Sequence, residues 1–192
     1  MTNKTVAFSG IDGSGKSTQI KLVKDYLSNY KVMVSKINYS PLNNMGYFKL
    51  LDMILKGVSG YKIISYYYHL QKKEYNNYDY ILFDRHLACY LAYAYAYGTQ
   101  NIKFIRNLLN IVKSPDLTLY YDVDINTSLE RIKLRGEDIN KGENYETLYK
   151  AKEGYEIVFD IIDNIERIDA NLSQKEVYDS TVKVLSKYKI SR

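Results

Sequence analysis

The segment Gly10-Ile-Asp-Gly-Ser-Gly-Lys-Ser17 limits the possible folds of this chain more than any other stretch, because it matches G-x-x-x-x-G-K-[ST] at every fixed position. A β-rich run at residues 5–9 precedes it, and residues 16–28 follow with apolar residues at helical spacing. Glycines allow successive backbone N–H groups to surround phosphate oxygens, and the helix N-terminus adds partial positive charge. The sequence therefore predicts a P-loop, which is a strand, a phosphate-binding loop and a helix in that order.

Residue types within the loop indicate how it would hold a nucleoside triphosphate. We expect Lys16 to reach the terminal phosphates and the hydroxyl of Ser17 to bind Mg²⁺. The predicted ATP-binding residues of the loop are Gly10, Asp12, Gly13, Ser14, Gly15, Lys16, Ser17 and Thr18. This set favours a phosphotransferase that takes its phosphate from ATP, with Lys16 as a catalytic cation.

Strand-like and helix-like segments alternate along the rest of the chain. Strands are predicted at residues 5–9, 32–37, 80–84, 117–123 and 165–169, and helices at residues 16–28, 45–56, 61–75, 87–97, 101–112, 126–134 and 145–162. A capping box, Ser173-Gln-Lys-Glu176, opens a final helix. The alternation predicts an α/β fold in which helices cover both faces of a parallel sheet. We expect one domain over residues 1–192, with a polar loop at residues 135–144.

Composition limits which ligands the protein is expected to bind and in which cellular compartment it is expected to function. The net charge is +5, but the lysines are spread along the chain, so nucleic acid is not expected as the main ligand. The chain has no apolar run of about eighteen residues, and we predict no membrane span. The N-terminus shows no secretory signal pattern. The single cysteine, Cys89, cannot form an internal disulfide, which indicates a reducing compartment and a cytoplasmic protein.

Two other classes of P-loop protein are disfavoured. A GTPase switch needs a guanine-reading segment of the N-K-x-D type, and the sequence contains none. ATPase motors usually need a larger chain than these 192 residues. The class that remains is a small-molecule kinase.

Several motifs beyond the loop occur together in a fixed order. They are FSGIDGSGKSTQ at residues 8–19, Asp84-Arg85-His86 followed by Ala92-Tyr93, PDLTLYYDVD at residues 115–124, Ser128-Leu-Glu-Arg131, and Arg135-Gly136. In order and spacing, this set resembles the thymidylate kinases. The resemblance implies transfer of a phosphate from ATP to deoxythymidine monophosphate (dTMP), with Mg²⁺. It also implies a P-loop three-layer fold with a five-stranded parallel sheet, a short mobile lid at about residues 135–144, and commonly a homodimer.

The resemblance also assigns roles to single residues. Asp12 matches the loop acid that contacts the sugar of the monophosphate, and Arg85 matches the arginine that binds its phosphate. Asp84 falls near the Mg²⁺ and its waters. Arg135 matches an arginine that packs on the adenine, and Tyr93 falls beside the deoxyribose.

The chemistry of phosphoryl transfer independently favours cations at these positions. Two anionic phosphates must be held in line, which requires positive charge from several directions. Lys16, Arg85, Arg131, Arg135 and Lys141 can supply it. Arg131 has an equally good alternative, which is pairing with its neighbour Glu130 or with solvent.

The acceptor side departs from the family pattern. Residues 38–41 read Asn-Tyr-Ser-Pro, where the family usually has an arginine before the proline. Ser65 and His69 stand where the family stacks a phenylalanine on thymine and hydrogen-bonds it with an arginine. We expect His69 to donate a hydrogen bond at the same i, i+4 spacing and a neighbour such as Tyr66 to stack. For any single tyrosine here, a packing role is the alternative. Ala94 replaces a frequent glutamine.

The predicted lid also departs from the family pattern. Family members without an arginine in the P-loop carry a catalytic arginine in the lid, and Gly13 shows that no loop arginine exists here. The matching lid position falls near residues 139–141, so Lys141 would have to serve. An ammonium group cannot form the planar two-pronged contact of a guanidinium.

The helix predicted at residues 87–97 suggests an interface. Small residues, Ala88, Ala92 and Ala96, recur at i, i+4 spacing beside a tyrosine face formed by Tyr90, Tyr93 and Tyr97. Small residues permit close helix approach, and tyrosines are frequent in interfaces. A symmetric homodimer through this helix and ordinary core packing both account for the pattern.

The leading hypothesis is a kinase of dTMP. One alternative is a kinase of another deoxynucleotide or of a deoxynucleoside. The missing acceptor arginine would fit a substrate without a phosphate, such as a deoxynucleoside, but Arg85 argues against that substrate. Another is a nucleotide-binding regulatory protein with decayed catalysis, which would be expected to lose the lid cations. Because Arg135 and Lys141 are present, the sequence favours the enzyme.

Overall fold

The computed structural model describes residues 3–36, 73–98, 114–136 and 142–190. Within them the strands are β1 (Lys4–Ser9), β2 (Val32–Lys36), β3 (Tyr80–Asp84), β4 (Leu117–Asp122) and β5 (Ile165–Asp169). The helices are α1 (Lys16–Tyr26), α2 (Leu87–Ala96), α3 (Ile125–Leu134), α4 (Tyr145–Phe159) and α5 (Gln174–Lys187), and a 3₁₀ helix spans Lys73–Asn77. The predicted α/β class is confirmed.

All five strands form one parallel sheet in the order β2-β3-β1-β4-β5. Every residue of β3 is buried, as are all of β4 except its last, whereas the edge strands β2 and β5 are mostly accessible. Continuous apolar runs are typical of central parallel strands, which are covered on both faces. The sequence of β3, Tyr-Ile-Leu-Phe-Asp, therefore suits an interior strand of the sheet, between β2 and β1.

The connections place helices on both faces. The chain steps from β1 through α1 to β2 in one direction across the sheet, and from β3 to β4, by way of α2, in the other. Because such crossovers are almost always right-handed, α1 and α2 lie on opposite faces. Helix α5 packs against α1, and α4 packs closely against α2. This is the three-layer arrangement that the resemblance implied.

Several element boundaries differ from the prediction by one to three residues. Helices α1, α2 and α4 end at Tyr26, Ala96 and Phe159, and β4 ends at Asp122, each before the predicted position. A short connection, in which Asn164 adopts a φ of 58°, joins α4 to β5. Residues 73–75, predicted as the end of an α-helix, belong instead to the 3₁₀ helix. The helices predicted at residues 45–56 and 101–112, and residues 61–72, lie outside the described residues.

Two helix starts follow from side-chain capping. The predicted capping box of α5 is present, with the Ser173 hydroxyl bonded to the backbone of Glu176 and the Glu176 carboxylate accepting from the Ser173 N–H. At α4, the Asn144 side chain accepts a hydrogen bond from the N–H of Thr147 at 3.0 Å. Such caps satisfy N–H groups that have no partner inside the helix. The Asn144 cap fixes where the chain enters α4 from the predicted lid.

Candidate functional site

A cleft of about 620 Å³ lies at the carboxyl ends of β1 and β3. These strands are neighbours, and the chain leaves them toward opposite faces of the sheet, which is where open α/β sheets form ligand crevices. Loop residues 12–18 line the cleft. Four more sequence-predicted site residues share it, although they come from distant parts of the chain: Asp84, Arg85, Arg131 and Arg135.

The loop depends on glycine at Gly13. Its φ of 77° is a conformation that residues with a side chain rarely adopt, and a Cβ atom there would lie 2.5 Å from the backbone oxygen of Ser128. The hydroxyl of Ser128 donates to the backbone oxygen of Asp12. Helix α3 therefore holds the loop by direct backbone approach, which leaves no room for a side chain at Gly13.

Lys16 is buried inside the loop that it follows. Its ammonium group donates to the backbone oxygens of Gly10 at 2.9 Å and Ile11 at 2.7 Å, and to the hydroxyl of Ser14 at 3.1 Å. Burial and the nearby charge of Arg85 lower its pKa to about 8. The ammonium group is poorly hydrated and held by neutral oxygens, so a phosphate oxygen can replace one of them at little desolvation cost.

Arg85 has a left-handed backbone conformation, with a φ of 73°. A non-glycine residue in this region is uncommon and costs of the order of 1 kcal/mol or more. The conformation directs the side chain back over the P-loop, where the guanidinium pairs with the carboxylate of Asp12. It also lies 5.6 Å from the centre of the Tyr93 ring. The strained turn thus places a second cation in the cleft, near enough to Lys16 for its charge to lower the pKa of that ammonium group.

Asp12 is held in its charged form by these neighbours. Burial raises the pKa of its carboxyl group, but the charges of Arg85 and Lys16 and a hydrogen bond from Tyr93 outweigh burial and lower it below the ordinary value. The Tyr93 hydroxyl donates to the Asp12 carboxylate at 2.9 Å and accepts from the Asp12 N–H at 3.0 Å. Burial raises the pKa of Tyr93, so its hydroxyl remains a donor. Asp12, Arg85 and Tyr93 form one connected group.

Lys36 lines the cleft but was not among the sequence-predicted residues. Its ammonium nitrogen lies 3.2 Å from the carboxylate of Asp84, and its side chain is 69% exposed. Strands β2 and β3 are parallel with Lys36 opposite Asp84, so the last residues of both strands meet at the same edge. The sequence did not indicate this adjacency, because it depends on which strands pair and in which register, and the strand predicted at residues 32–37 ends one residue after Lys36.

Two residues of the cleft fit the Mg²⁺ that the resemblance implies. Ser17 is exposed in the first turn of α1, and Asp84 presents a carboxylate at the end of β3. Mg²⁺ prefers oxygen ligands, keeps several waters, and is usually held by one or two protein groups together with substrate phosphates. The described residues contain no cluster of three His, Cys, Asp or Glu side chains, and a nucleotide-dependent site does not require one.

The two lid-side arginines have partners that the sequence did not reveal. Arg131 donates to the backbone oxygen of Ala170 at 2.8 Å, a partner that neither sequence-based alternative for this residue included. Arg135 forms an ion pair of 2.6 Å with Glu143, whose side chain is buried. This pair joins the two ends of the predicted lid. Lys141, between them, lies outside the described residues.

The predicted acceptor residues Ser65, Tyr66 and His69 also lie outside the described residues, as do residues 38–41. Of the residues predicted to bind the acceptor, the structure therefore describes Asp12, Arg85 and Tyr93, which are joined by hydrogen bonds and an ion pair.

Most described residues of helix α2 are buried by other parts of the same chain. Ala88 and Ala92 are buried, and Ala92 approaches α4 so closely that a Cβ atom on Gly154 would lie 2.5 Å from its backbone oxygen. Tyr90 is buried as well, whereas Tyr97 is exposed. Packing against α4 thus accounts for the small residues at i, i+4 spacing, and the dimer through this helix stays a prediction.

None of the described helices has both the length and the apolar character needed to span a bilayer.

The family model described as thymidylate kinase matches residues 61–181, which is more than half of the chain. A probable thymidylate kinase of Methanobrevibacter smithii is 31% identical, covering 95% of this chain and 94% of the relative. The thymidylate kinase of Legionella pneumophila (strain Paris) is 28% identical, covering 98% and 96%. A thymidylate kinase structure from Candida albicans superposes with a TM-score of 0.70 at 20% identity, covering 97% of this chain and 92% of that one, which shows a shared fold. The chain belongs to the thymidylate kinase family.

Proposed function

We propose that this protein is an ATP-dependent phosphotransferase that transfers the γ-phosphate of ATP to dTMP and forms dTDP. The observation that carries the proposal is that Lys16 and Arg85 both line one cleft at the carboxyl ends of β1 and β3. Two cationic centres suit two phosphate-bearing substrates that must meet end to end. The names of the family and of its relatives supply the identity of the acceptor.

The donor site is proposed to be the loop from Gly10 to Thr18. Lys16 moves from backbone oxygens to the β- and γ-phosphates, and the exposed N–H groups at the start of α1 bind the remaining oxygens. Arg131 and Arg135 line the cleft beyond the loop, where the adenosine part of ATP would lie. The planar guanidinium of Arg135 is suited to stacking on adenine.

The acceptor site is proposed to be formed by the connected group around Asp12. Arg85 binds the phosphate of dTMP through two parallel hydrogen bonds, a geometry that guanidinium and phosphate share. Lys36, at the adjacent strand end, supplies the second cation that residues 38–41 do not. Asp12 and Tyr93 face the sugar. Ser65, Tyr66 and His69 are proposed to recognise the base.

The chemical step requires little from acid–base groups. An oxygen of the acceptor phosphate attacks the γ-phosphorus, the bond from that phosphorus to the β–γ bridging oxygen breaks, and ADP leaves. Negative charge spreads over the transferred group as this happens, so Lys16 and Arg85, with Lys141 from the lid, stabilise the transition state electrostatically. Mg²⁺, held through Ser17 and Asp84, would neutralise phosphate charge when bound.

Three broader features belong to the same proposal. The ion pair of Arg135 and Glu143 holds together the ends of a lid that covers the phosphates. The proposed location is the cytoplasm, which the nucleotide substrates and the single buried thiol of Cys89 support. A homodimer through α2 would have to use the accessible residues at and just beyond the end of that helix, Tyr95, Ala96 and Tyr97.

Transfer of labelled phosphate tests the activity. ATP labelled at the γ-phosphate is incubated with dTMP, Mg²⁺ and the protein, and we expect the label in dTDP. The Lys16→Ala variant should lose at least about a hundredfold in turnover, because removing a preorganised charge costs several kcal/mol of transition-state stabilisation. Absence of labelled dTDP with the wild-type protein contradicts the proposal, and a Lys16→Ala variant with more than about a tenth of the activity contradicts the role of Lys16.

A further inference from the structure

Tyr155, on α4, holds the first glycine of the P-loop from behind. Its hydroxyl donates to the backbone oxygen of Gly10 at 3.0 Å and accepts from the backbone N–H of the same residue at 3.1 Å. The side chain is fully buried, and burial raises its pKa, so the hydroxyl keeps its proton. One hydroxyl therefore satisfies both polar groups of a single buried peptide residue.

Gly10 has little freedom to find other partners. Its φ is 144°, and a Cβ atom there would lie 2.7 Å from the backbone oxygen of Tyr121. It follows the last paired residue of β1, where strand hydrogen bonding ends. A buried N–H or C=O group without a partner is unfavourable, so a replacement for the ladder bonds is needed at this point.

The backbone oxygen of Gly10 accepts from two donors, the Tyr155 hydroxyl and the Lys16 ammonium group. Under the proposed function, Lys16 must turn from this oxygen toward the nucleotide phosphates. The oxygen then keeps one partner, Tyr155. Without the tyrosine hydroxyl, release of Lys16 would leave the backbone oxygen of Gly10 with no hydrogen-bond donor. That cost would favour the contact of Lys16 with Gly10 over its contact with phosphate, so nucleotide binding would become less favourable.

Contacts with α2 and with the end of β4 hold helix α4, and therefore Tyr155, in position. Gly154, the residue before Tyr155, allows the helix to approach α2 at backbone distance. One turn earlier, Lys152 pairs with Asp122 at 2.7 Å and donates to the backbone oxygen of Val123 at 2.9 Å, at the end of β4. The hydroxyl is thus fixed relative to the sheet that carries the loop.

We propose that Tyr155 is a positioning residue of the donor site, whose hydroxyl sets the start of the P-loop and frees Lys16 to bind nucleotide phosphate. The inference rests on the proposed function, since it assumes that the loop binds ATP. It adds a residue from outside the loop and from outside the cleft lining.

The test compares Tyr155→Phe with the matched variant Tyr121→Phe. Tyr121 is equally buried, and its hydroxyl bonds to Thr181 of α5 at 3.2 Å rather than to the loop. Titration calorimetry gives the affinity for ADP with Mg²⁺, and steady-state kinetics gives the KM values for ATP and dTMP. Thermal unfolding of each variant fixes a temperature at which all three proteins are folded.

We expect Tyr155→Phe to bind ADP about tenfold more weakly and to show a raised KM for ATP, with the KM for dTMP within about twofold of wild type. Tyr121→Phe should match wild type in all three values, even where its thermal stability is lowered. Equal ADP affinity in both variants would overturn the role of Tyr155 and leave the kinase proposal standing. If the wild-type protein binds no ADP, the proposed function fails and the inference fails with it.

Discussion

The guanidinium of Arg85 and the carboxylate of Asp12 form an ion pair across the cleft, although 73 positions separate them in the chain. Both side chains are partly buried, and the Tyr93 hydroxyl shares the carboxylate. The pair holds Arg85 over the P-loop before any substrate binds. A guanidinium has five donors, so it can bind a phosphate while it remains oriented by a carboxylate.

Replacing Arg85 with alanine should weaken dTMP binding by about 2 kcal/mol or more, as expected for loss of a charge-assisted bidentate contact. The affinity for ATP should hardly change. Calorimetric titration of both ligands gives the answer. Arg167→Ala is the control, because Arg167 pairs with Glu156 away from the cleft. A variant that binds dTMP normally but loses ATP would place Arg85 in the donor site.

Replacing Lys36 with methionine should raise the KM for dTMP about fivefold and leave the KM for ATP unchanged, since one monodentate charged contact is worth about 1 kcal/mol. Steady-state kinetics with each substrate varied in turn measures both values. Lys187→Met removes another exposed ion pair, with Glu166 at 2.6 Å, and should change neither. An unchanged KM for dTMP in Lys36→Met would remove Lys36 from the acceptor site.

The contrast between Arg85 and Lys36 shows what the sequence could predict. Motifs placed the P-loop, β3 and β5 correctly, because each depends on local spacing and on runs of apolar residues. Lys36, Glu143 and Tyr155 were missed. Each acts through a partner that only strand pairing or helix packing brings near, and no residue within a few positions of them indicates that partner.

Replacing Gly154 with alanine should destabilise the protein by up to about 2 kcal/mol. Alanine favours the helix by about 1 kcal/mol, but the new Cβ atom would meet the backbone oxygen of Ala92 at 2.5 Å, and overpacking costs about 1–3 kcal/mol. Urea unfolding measures the difference. Glu153→Ala, at the neighbouring exposed position, should stay within about 0.5 kcal/mol of wild type. A stabilised Gly154→Ala variant would contradict the close contact of α2 and α4.

His86 should make the protein sensitive to mild acid. Burial lowers its pKa to about 3, from an ordinary value of 6.5. As the pH falls, this histidine is protonated in the unfolded chain at a higher pH than in the folded protein. The free energy of unfolding therefore decreases as the pH falls from about 6.5 toward 3. Between pH 7 and pH 5 the loss from this one group is about 2 kcal/mol. Urea unfolding at both pH values should show a smaller loss in His86→Gln than in wild type, and equal losses would contradict a buried neutral histidine.

The central claim is that the acceptor is a nucleoside monophosphate, and dTMP in particular. The most direct measurement is ATP consumption, with product identification, across dTMP, the other deoxynucleoside monophosphates, AMP and thymidine. We predict the highest kcat/KM with dTMP, dTDP as the product, and no reaction with thymidine. Thymidine carries no phosphate, so it cannot form the proposed acceptor contacts with Arg85 and Lys36. Phosphorylation of thymidine without phosphorylation of dTMP, or no ATP consumption with any of these acceptors, would contradict the account.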